Sequence, residues 1–243
     1  MIELVGFDGD DTLWHSEGFY QAVHEQFERI VGKYVDLQDA RLHERLLATE
    51  RQNIKLFGYG AKGMTLSMIE TAIAITGERI HASDLHELLA LGKQVLAHPV
   101  ELLPGIREAV EDVARDFQVV LITKGDLFHQ EAKVARSGLA GLFHRIEIVS
   151  EKDAGTYARV LAEFNLRPAQ FAMVGNSLRS DIEPVLSLGG WGVYMPYHVT
   201  WAHERESGID ESDPGLLRIA APSEIPAAVK TLAARASARS ALR

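Results

Sequence analysis

The feature that most restricts the fold is an alternation of short β-rich runs with segments of helical periodicity beyond residue 100. The β-rich runs occupy residues 117–123, 145–150, 171–176 and 191–196. Between them, apolar residues recur every three or four positions, as on one face of a helix. Because parallel strands are joined by crossovers that are usually helical, this pattern predicts βαβ units. With the apolar run 2–7 as a further strand, the sequence predicts an α/β fold with a doubly wound, Rossmann-like parallel sheet.

Residues 15–98 interrupt the alternation and lack β-rich runs. Apolar stripes at helical spacing pass through the segment, and one of them consists of Phe19, Val23, Phe27 and Ile30. Such stripes mark the buried faces of amphipathic helices. The sequence therefore predicts four or five helices inserted after the first strand. The predicted organisation is a core domain of residues 1–14 and 99–243 with a helical domain of residues 15–98.

Composition excludes several classes of function. The chain of 243 residues has 25 basic and 34 acidic side chains, a formal net charge of −9, which argues against nucleic acid or an anionic membrane as a partner. It contains no cysteine, which excludes disulfides, thiolate metal sites and a cysteine nucleophile. The first residues lack the pattern of a signal peptide, and no apolar run approaches a membrane span. We therefore expect a cytoplasmic protein.

Polar residues follow the ends of the predicted strands. The carboxyl ends of parallel strands meet at one edge of a sheet, where ligands of such folds bind. This edge would collect carboxylates, a hydroxyl, amines and an amide, contributed by Asp8, Asp10, Asp11, Thr123, Lys124, Lys152, Asn176 and Asp181. Three of the carboxylates lie within four residues of one another. Like charges at that spacing repel, so these are either solvated turn residues or neighbours of a cation.

These residues carry a resemblance to the haloacid dehalogenase-like hydrolases, a superfamily dominated by phosphatases. The motifs of that family are DxDx(T/V) after the first strand, a Ser or Thr after the next strand, a lysine, and GDxxxxD. They are matched in order by Asp8, Asp10 and Thr12, by Thr123, by Lys152, and by Gly175, Asn176 and Asp181 in "GNSLRSD". The resemblance covers residues 1–14 and about 100–200. The helical insertion is similar in position to the helical cap of the family, which closes over the site.

The resemblance implies a phosphoryl-transfer site. Asp8 would be the nucleophile that forms an aspartyl-phosphate, and Asp10 would protonate the leaving oxygen and later activate water. Thr123 and Lys152 would bind and neutralise the phosphoryl group, together with Thr12. Lys124 is a further candidate for phosphate binding, although a solvated lysine is an equal alternative.

The resemblance also implies a Mg²⁺ cofactor. The expected ligands are Asp8, the backbone carbonyl of Asp10, Asn176 and Asp181, since Mg²⁺ prefers oxygen. Two positions depart from the usual family pattern. Asn176 stands where an aspartate is usual, which removes one negative charge, and Asp11 stands where glycine is most common. We interpret Asp11 as a turn residue or a residue behind the site, not as a third catalytic carboxylate.

The predicted activity is hydrolysis of a small phosphorylated metabolite. A 2-haloacid dehalogenase is an alternative on the same fold, but that chemistry needs no leaving-group acid and Asp10 is present. A sugar-phosphate mutase shares all four motifs and stays open. A non-catalytic binding or scaffold protein is the alternative from another class, and only Asn176 favours it. His198 and His203 have the spacing of a zinc pair but lack an evident third ligand.

Overall fold

The computed structural model describes residues 1–38, 40–198, 208–209 and 212–241. His203 lies outside these residues. The chain divides into two compact units. The first consists of Met1–Glu17, Val100–Lys124 and the described residues from Glu131 onward, and the second of Gly18–Pro99 and Gly125–Gln130. The short segment Gly125–Gln130 is thus grouped with the helical insertion, which the sequence pattern did not indicate.

The second unit is built from helices. They are α1 (Glu17–Val31), α2 (Leu42–Phe57), α3 (Ala61–Thr76) and α4 (Ala82–Ala97). Their apolar faces meet in one cluster, which contains Phe27 of α1, Leu46 of α2, Met68 of α3 and Leu88 of α4. The helices therefore share a core of their own, as the periodicity of the sequence predicts.

The first unit contains a parallel sheet. Within the described residues it has six strands, namely β1 (Leu4–Phe7), β2 (Gln118–Lys124), β3 (Arg145–Val149), β4 (Phe171–Gly175), β5 (Trp191–Tyr194) and β6 (Leu216–Arg218). Their order across the sheet is β3-β2-β1-β4-β5-β6, and each neighbouring pair is parallel. The predicted doubly wound α/β fold is confirmed. The sequence pattern missed β6, which has only three residues.

Helices cover both faces of this sheet. They are α5 (Ile106–Ala114), α6 (Leu127–Ser137), α7 (Ala154–Glu163), α8 (Glu183–Ser187) and α9 (Ile225–Ala241). Side chains of β1 alternate between the two faces. Val5 belongs to the cluster that includes Val110 of α5 and Val229 of α9, whereas Leu4 belongs to the cluster that includes Val160 of α7. Strand β1 is therefore buried on both sides, as a central parallel strand requires.

The position of β1 fixes where the polar strand ends come together. β1 lies between β2 and β4, with Phe7 in register with Leu121 on one side and Val174 on the other. The residues that follow β1 are therefore flanked by the ends of two other strands, which lead to Thr123 and Asn176. Within the described residues, no helix is long and apolar enough to span a membrane.

One glycine controls the packing of α4 on α3. A Cβ added to Gly92 would lie 1.9 Å from Oγ1 of Thr65. The two helices can therefore pack this closely only if residue 92 has no side chain. We expect Gly92→Ala to lower the free energy of unfolding by about 1–3 kcal/mol through overpacking, although alanine favours a helix. Urea unfolding followed by circular dichroism, with hydrogen exchange of α3 and α4, would measure the loss.

The matched control is Gly18→Ala in α1, where an added Cβ has no atom within 4 Å. This variant should be neutral or stabilising by up to about 1 kcal/mol. Equal effects of the two substitutions would contradict the packing argument.

Candidate active site

Asp8 is fixed directly beyond β1. Its backbone N–H donates to the carbonyl of Val174 at 2.9 Å, and its side chain is buried. One carboxylate oxygen, Oδ1, accepts a hydrogen bond from Lys152 Nζ, and Oδ2 accepts from the hydroxyl of Thr12 at 3.1 Å. The Thr12 hydroxyl also lies 3.4 Å from Asn176 Oδ1. The structure therefore brings together three of the four predicted motifs around Asp8.

Lys152 joins Asp8 to Asp181. Its ammonium donates to Asp181 Oδ1 at 2.7 Å, and all three side chains are at least nine-tenths buried. The other oxygen of Asp181 accepts from the backbone N–H of Ser177 at 3.0 Å. A Cβ on Gly175 would lie 2.3 Å from Asp181 Oδ2. Glycine is therefore needed at the end of β4 so that Asp181 can approach the strand.

Burial and charge act against each other in this cluster. Burial raises the pKa of Asp8 to about 7, because the effects of desolvation and of the neighbouring Asp181 exceed the stabilisation by Lys152. Burial lowers the pKa of Lys152, but Asp181 and Asp8 outweigh burial and raise it overall. One ammonium therefore stabilises two buried carboxylates and leaves the Asp8 carboxylate incompletely compensated.

Asp10 has a different environment from Asp8. Its Oδ1 accepts from the indole N–H of Trp14 at 2.6 Å and from Lys133 Nζ at 2.7 Å. The Asp10 side chain is 30% exposed. Lys133, on α6, was not among the predicted site residues, because a single lysine within a helical pattern resembles a residue of a solvated face. Trp14 is buried and donates the hydrogen bond to Asp10 through its indole N–H.

Asp11 closes the turn behind the site. Its backbone has a φ of 61°, a conformation in which glycine is favoured. Its carboxylate accepts from the backbone N–H groups of Ser16 at 2.8 Å and Glu17 at 3.1 Å, at the start of α1. Burial raises the pKa of Asp11 to about 7, with the charge of Asp10 as a further cause. These contacts agree with the interpretation of Asp11 as a turn residue.

Thr123 and Lys124 end β2 with different surroundings. Thr123 is buried against Gly9, where an added Cβ would lie 3.1 Å from Thr123 Oγ1. Lys124 Nζ donates to Ser180 Oγ at 2.9 Å and lies 3.6 Å from Glu151. Lys124 is therefore not a solvated lysine, and its predicted role in phosphate binding stays a prediction.

The predicted metal ligands offer oxygen atoms only. Asp8 and Asp181 are joined through Lys152, and Asn176 Oδ1 lies near Asp8 through the shared Thr12 hydroxyl. In the part of the chain that the structure describes, no group of three His, Asp or Glu side chains is arranged for a metal. His198, one of the two histidines considered for zinc, packs against the ring of Tyr197 at 4.1 Å between centroids.

Comparison with known proteins identifies the family. The sequence model of the haloacid dehalogenase-like hydrolases matches residues 2–189. The chain belongs to this family. A haloacid dehalogenase-like family hydrolase from Xanthomonas campestris is 55% identical, with 98% of this chain and 94% of that chain covered and a TM-score of 0.88. A search of curated proteins finds no match.

More distant structures share the fold with different named activities. A 2-haloacid dehalogenase from Pseudomonas syringae is 18% identical, with 95% of this chain and 99% of that chain covered and a TM-score of 0.59. A putative β-phosphoglucomutase from Thermotoga maritima is 19% identical, with 95% and 100% covered and a TM-score of 0.63. At these identities the likeness concerns the fold alone, so the chemistry must be inferred from the residues of the site.

The Lys152 cluster predicts a large effect on stability. Lys152→Met leaves Asp8 and Asp181 buried without their shared cation, and we expect the free energy of unfolding to fall by about 3 kcal/mol or more. Lys124→Met is the matched control, because Lys124 contacts a neutral hydroxyl and the half-exposed Glu151, and the substitution should cost about 1 kcal/mol or less. Urea unfolding in the presence of a chelator would compare the two. Equal losses would show that Lys152 is not the stabilising cation of this cluster.

Proposed function

We propose that the protein is a Mg²⁺-dependent phosphatase that hydrolyses a small phosphorylated metabolite through an aspartyl-phosphate on Asp8. The observation that carries the proposal is the second carboxylate, Asp10, which lies two residues beyond the buried Asp8 and is held by two hydrogen-bond donors. A nucleophile with a separate acid suits a leaving group that must take up a proton, as the alkoxide of a phosphate ester must.

In the first step an oxygen of Asp8 attacks phosphorus, the ester P–O bond breaks, and a proton moves from Asp10 to the departing oxygen. In the second step Asp10 accepts a proton from water, which attacks the aspartyl-phosphate and releases inorganic phosphate and free Asp8. The atoms and protons of the two steps balance with the phosphate ester and one water molecule as the reactants. Asp10 is the more exposed of the two carboxylates, which favours its contact with water and substrate.

Two further side chains suit the negative charge of the phosphoryl group. Lys152 already contacts Asp8, so it can neutralise charge on both the nucleophile and a phosphoryl oxygen. Thr123 can donate its hydroxyl to a phosphoryl oxygen, as the family pattern implies. In this proposal the substrate is a small phosphate ester. Asp8, Asp10, Thr123 and Lys152 act on its phosphoryl group, and contacts with the rest of the molecule select which ester is hydrolysed.

The donor set fits Mg²⁺, since two carboxylates and one amide supply the oxygen ligands that this ion prefers. The ion would be held by Asp8, Asn176, Asp181 and the backbone carbonyl of Asp10. When bound, Mg²⁺ stabilises negative charge on the phosphoryl oxygens.

The proposal and its rivals are distinguished by one set of assays. Release of phosphate from an aryl phosphate and a panel of metabolites, with and without Mg²⁺, tests the phosphatase. Release of chloride from 2-chloropropionate tests the dehalogenase, and conversion of one sugar phosphate into its isomer tests the mutase. No turnover of any substrate by folded protein would favour the scaffold alternative.

The nucleophile is tested by Asp8→Asn. The amide is nearly isosteric but cannot attack phosphorus, so we expect phosphatase activity to fall by about a thousandfold or more while the fold is retained. Asp112→Asn is the control, because Asp112 is paired with Arg115 at 2.6 Å and half exposed. Phosphate release and circular dichroism would be measured for both. Activity of Asp8→Asn within a few-fold of wild type would rule out the covalent mechanism.

The amide at Asn176 predicts weak binding of Mg²⁺. A carboxylate there would add one negative charge near the ion, and about 1.4 kcal/mol of added attraction gives tenfold tighter binding. We expect Asn176→Asp to bind Mg²⁺ several-fold more tightly and Asp181→Asn to bind it more weakly. Calorimetric titration with MgCl₂ and the Mg²⁺ dependence of activity would measure both.

The control for charge alone is Asn165→Asp, which makes the same change at an exposed residue. Its Mg²⁺ affinity should equal that of the wild type. If Asn176→Asp also leaves the affinity unchanged or weakens it, Asn176 is not near the ion.

A further inference from the structure

Lys133 is a buried lysine to which the proposed mechanism gives no role. It lies on α6, and its residue is 9% exposed. Its ammonium donates to Asp10 Oδ1 at 2.7 Å and to the Ser16 hydroxyl at 3.3 Å. A buried ammonium is costly unless it is paired, so the placement of Lys133 depends on the loop that follows β1.

The hydrogen bonds from Trp14 and Lys133 restrain the Asp10 carboxylate. Trp14 and Lys133 donate to the same oxygen from different elements, the loop after β1 and α6. An aspartate that is partly exposed can populate several rotamers, whereas donors from two elements on one oxygen favour the rotamer that places this oxygen between them. Lys133 and Trp14 therefore hold Oδ1 of Asp10 in place and limit the rotamers that its side chain can adopt.

We propose that Lys133 is a positioning residue that orients Asp10 for proton transfer to the leaving group. This inference rests on the proposed phosphatase function, and it adds a residue that the four family motifs do not contain. A general acid must lie within hydrogen-bond reach of the oxygen that it protonates, and small errors in such placement cost large factors in rate. Lys133 itself contacts Asp10 and Ser16, and its effect on the reaction passes through Asp10.

A purely structural role is the alternative. Lys133 also lowers the pKa of Asp11 through its charge, so its loss removes a cation from two neighbouring carboxylates. Such a loss could shift the whole loop after β1, including Asp8. A structural effect would lower kcat/KM for every substrate alike. An effect through the general acid would lower kcat/KM most for substrates whose leaving group needs a proton.

The experiment compares Lys133→Met with wild type on two substrates. An alkyl phosphate has a poor leaving group that needs the acid, and p-nitrophenyl phosphate has a good one that does not. The ratio kcat/KM covers only the steps up to loss of the leaving group, so the later hydrolysis of the aspartyl-phosphate does not enter. We expect kcat/KM to fall about tenfold or more for the alkyl phosphate, and about twofold or less for p-nitrophenyl phosphate.

A double-mutant cycle tests whether Lys133 acts through Asp10. In the Asp10→Asn background, Lys133→Met should lower kcat/KM for the alkyl phosphate no further. Lys133→Arg keeps a cationic donor. It should therefore restore part of the kcat/KM for the alkyl phosphate that Lys133→Met loses. Arg136→Met, at an exposed residue of the same helix, is the control and should match the wild type on both substrates.

Equal losses on the two substrates, or losses that multiply with those of Asp10→Asn, would overturn the inference and leave the phosphatase proposal standing. If Lys133→Met does not fold, Lys133→Gln takes its place, and failure of both to fold would show that the lysine holds the loop and would also overturn the inference. If folded wild-type protein hydrolyses no phosphate ester at all, the proposed function fails and the inference fails with it.

Discussion

The candidate site depends on one buried ammonium, that of Lys152, which is shared between Asp8 and Asp181. Two carboxylates at this depth repel each other and lose their hydration, and the pKa of Asp8 is raised for that reason even with the lysine in contact. The cluster is stable only because the three groups arrive from different strand ends at one point. The carboxylate and amide oxygens gathered there by Asp8, Asp181 and Asn176 give the physical basis for proposing a divalent cation.

The parallel sheet brings the charged groups of the site together. β1 lies between β2 and β4, so the residues after β1 meet those that follow both neighbours. Two glycines allow the approach. A Cβ at Gly175 would clash with the carboxylate of Asp181, and one at Gly9 would lie 2.9 Å from the Trp14 ring. The charged side chains can thus reach their places only because residues 9 and 175 are glycines.

The sequence predicted the fold class and the groups that meet around Asp8, because strand ends in a parallel sheet share one edge. It did not predict Lys133, since the spacing of one lysine along α6 does not reveal which strand end its ammonium faces. It also missed β6, because three residues are too few to show a β-rich run. Residues 125–130 are grouped with the helical unit by contacts between residues distant in sequence. The spacing of apolar residues along the chain cannot predict such contacts.

Asp8 and Asp10 illustrate how two equal side chains acquire different chemistry. Asp8 is buried, and each of its oxygens accepts a hydrogen bond from Lys152 or Thr12. Asp10 is partly exposed, and its Oδ1 accepts hydrogen bonds from Trp14 and Lys133. A nucleophile benefits from a fixed position and little water, whereas a group that exchanges protons needs access to substrate and solvent. The environments of the two carboxylates therefore favour the roles that we propose, with Asp8 as the nucleophile and Asp10 as the proton donor and acceptor.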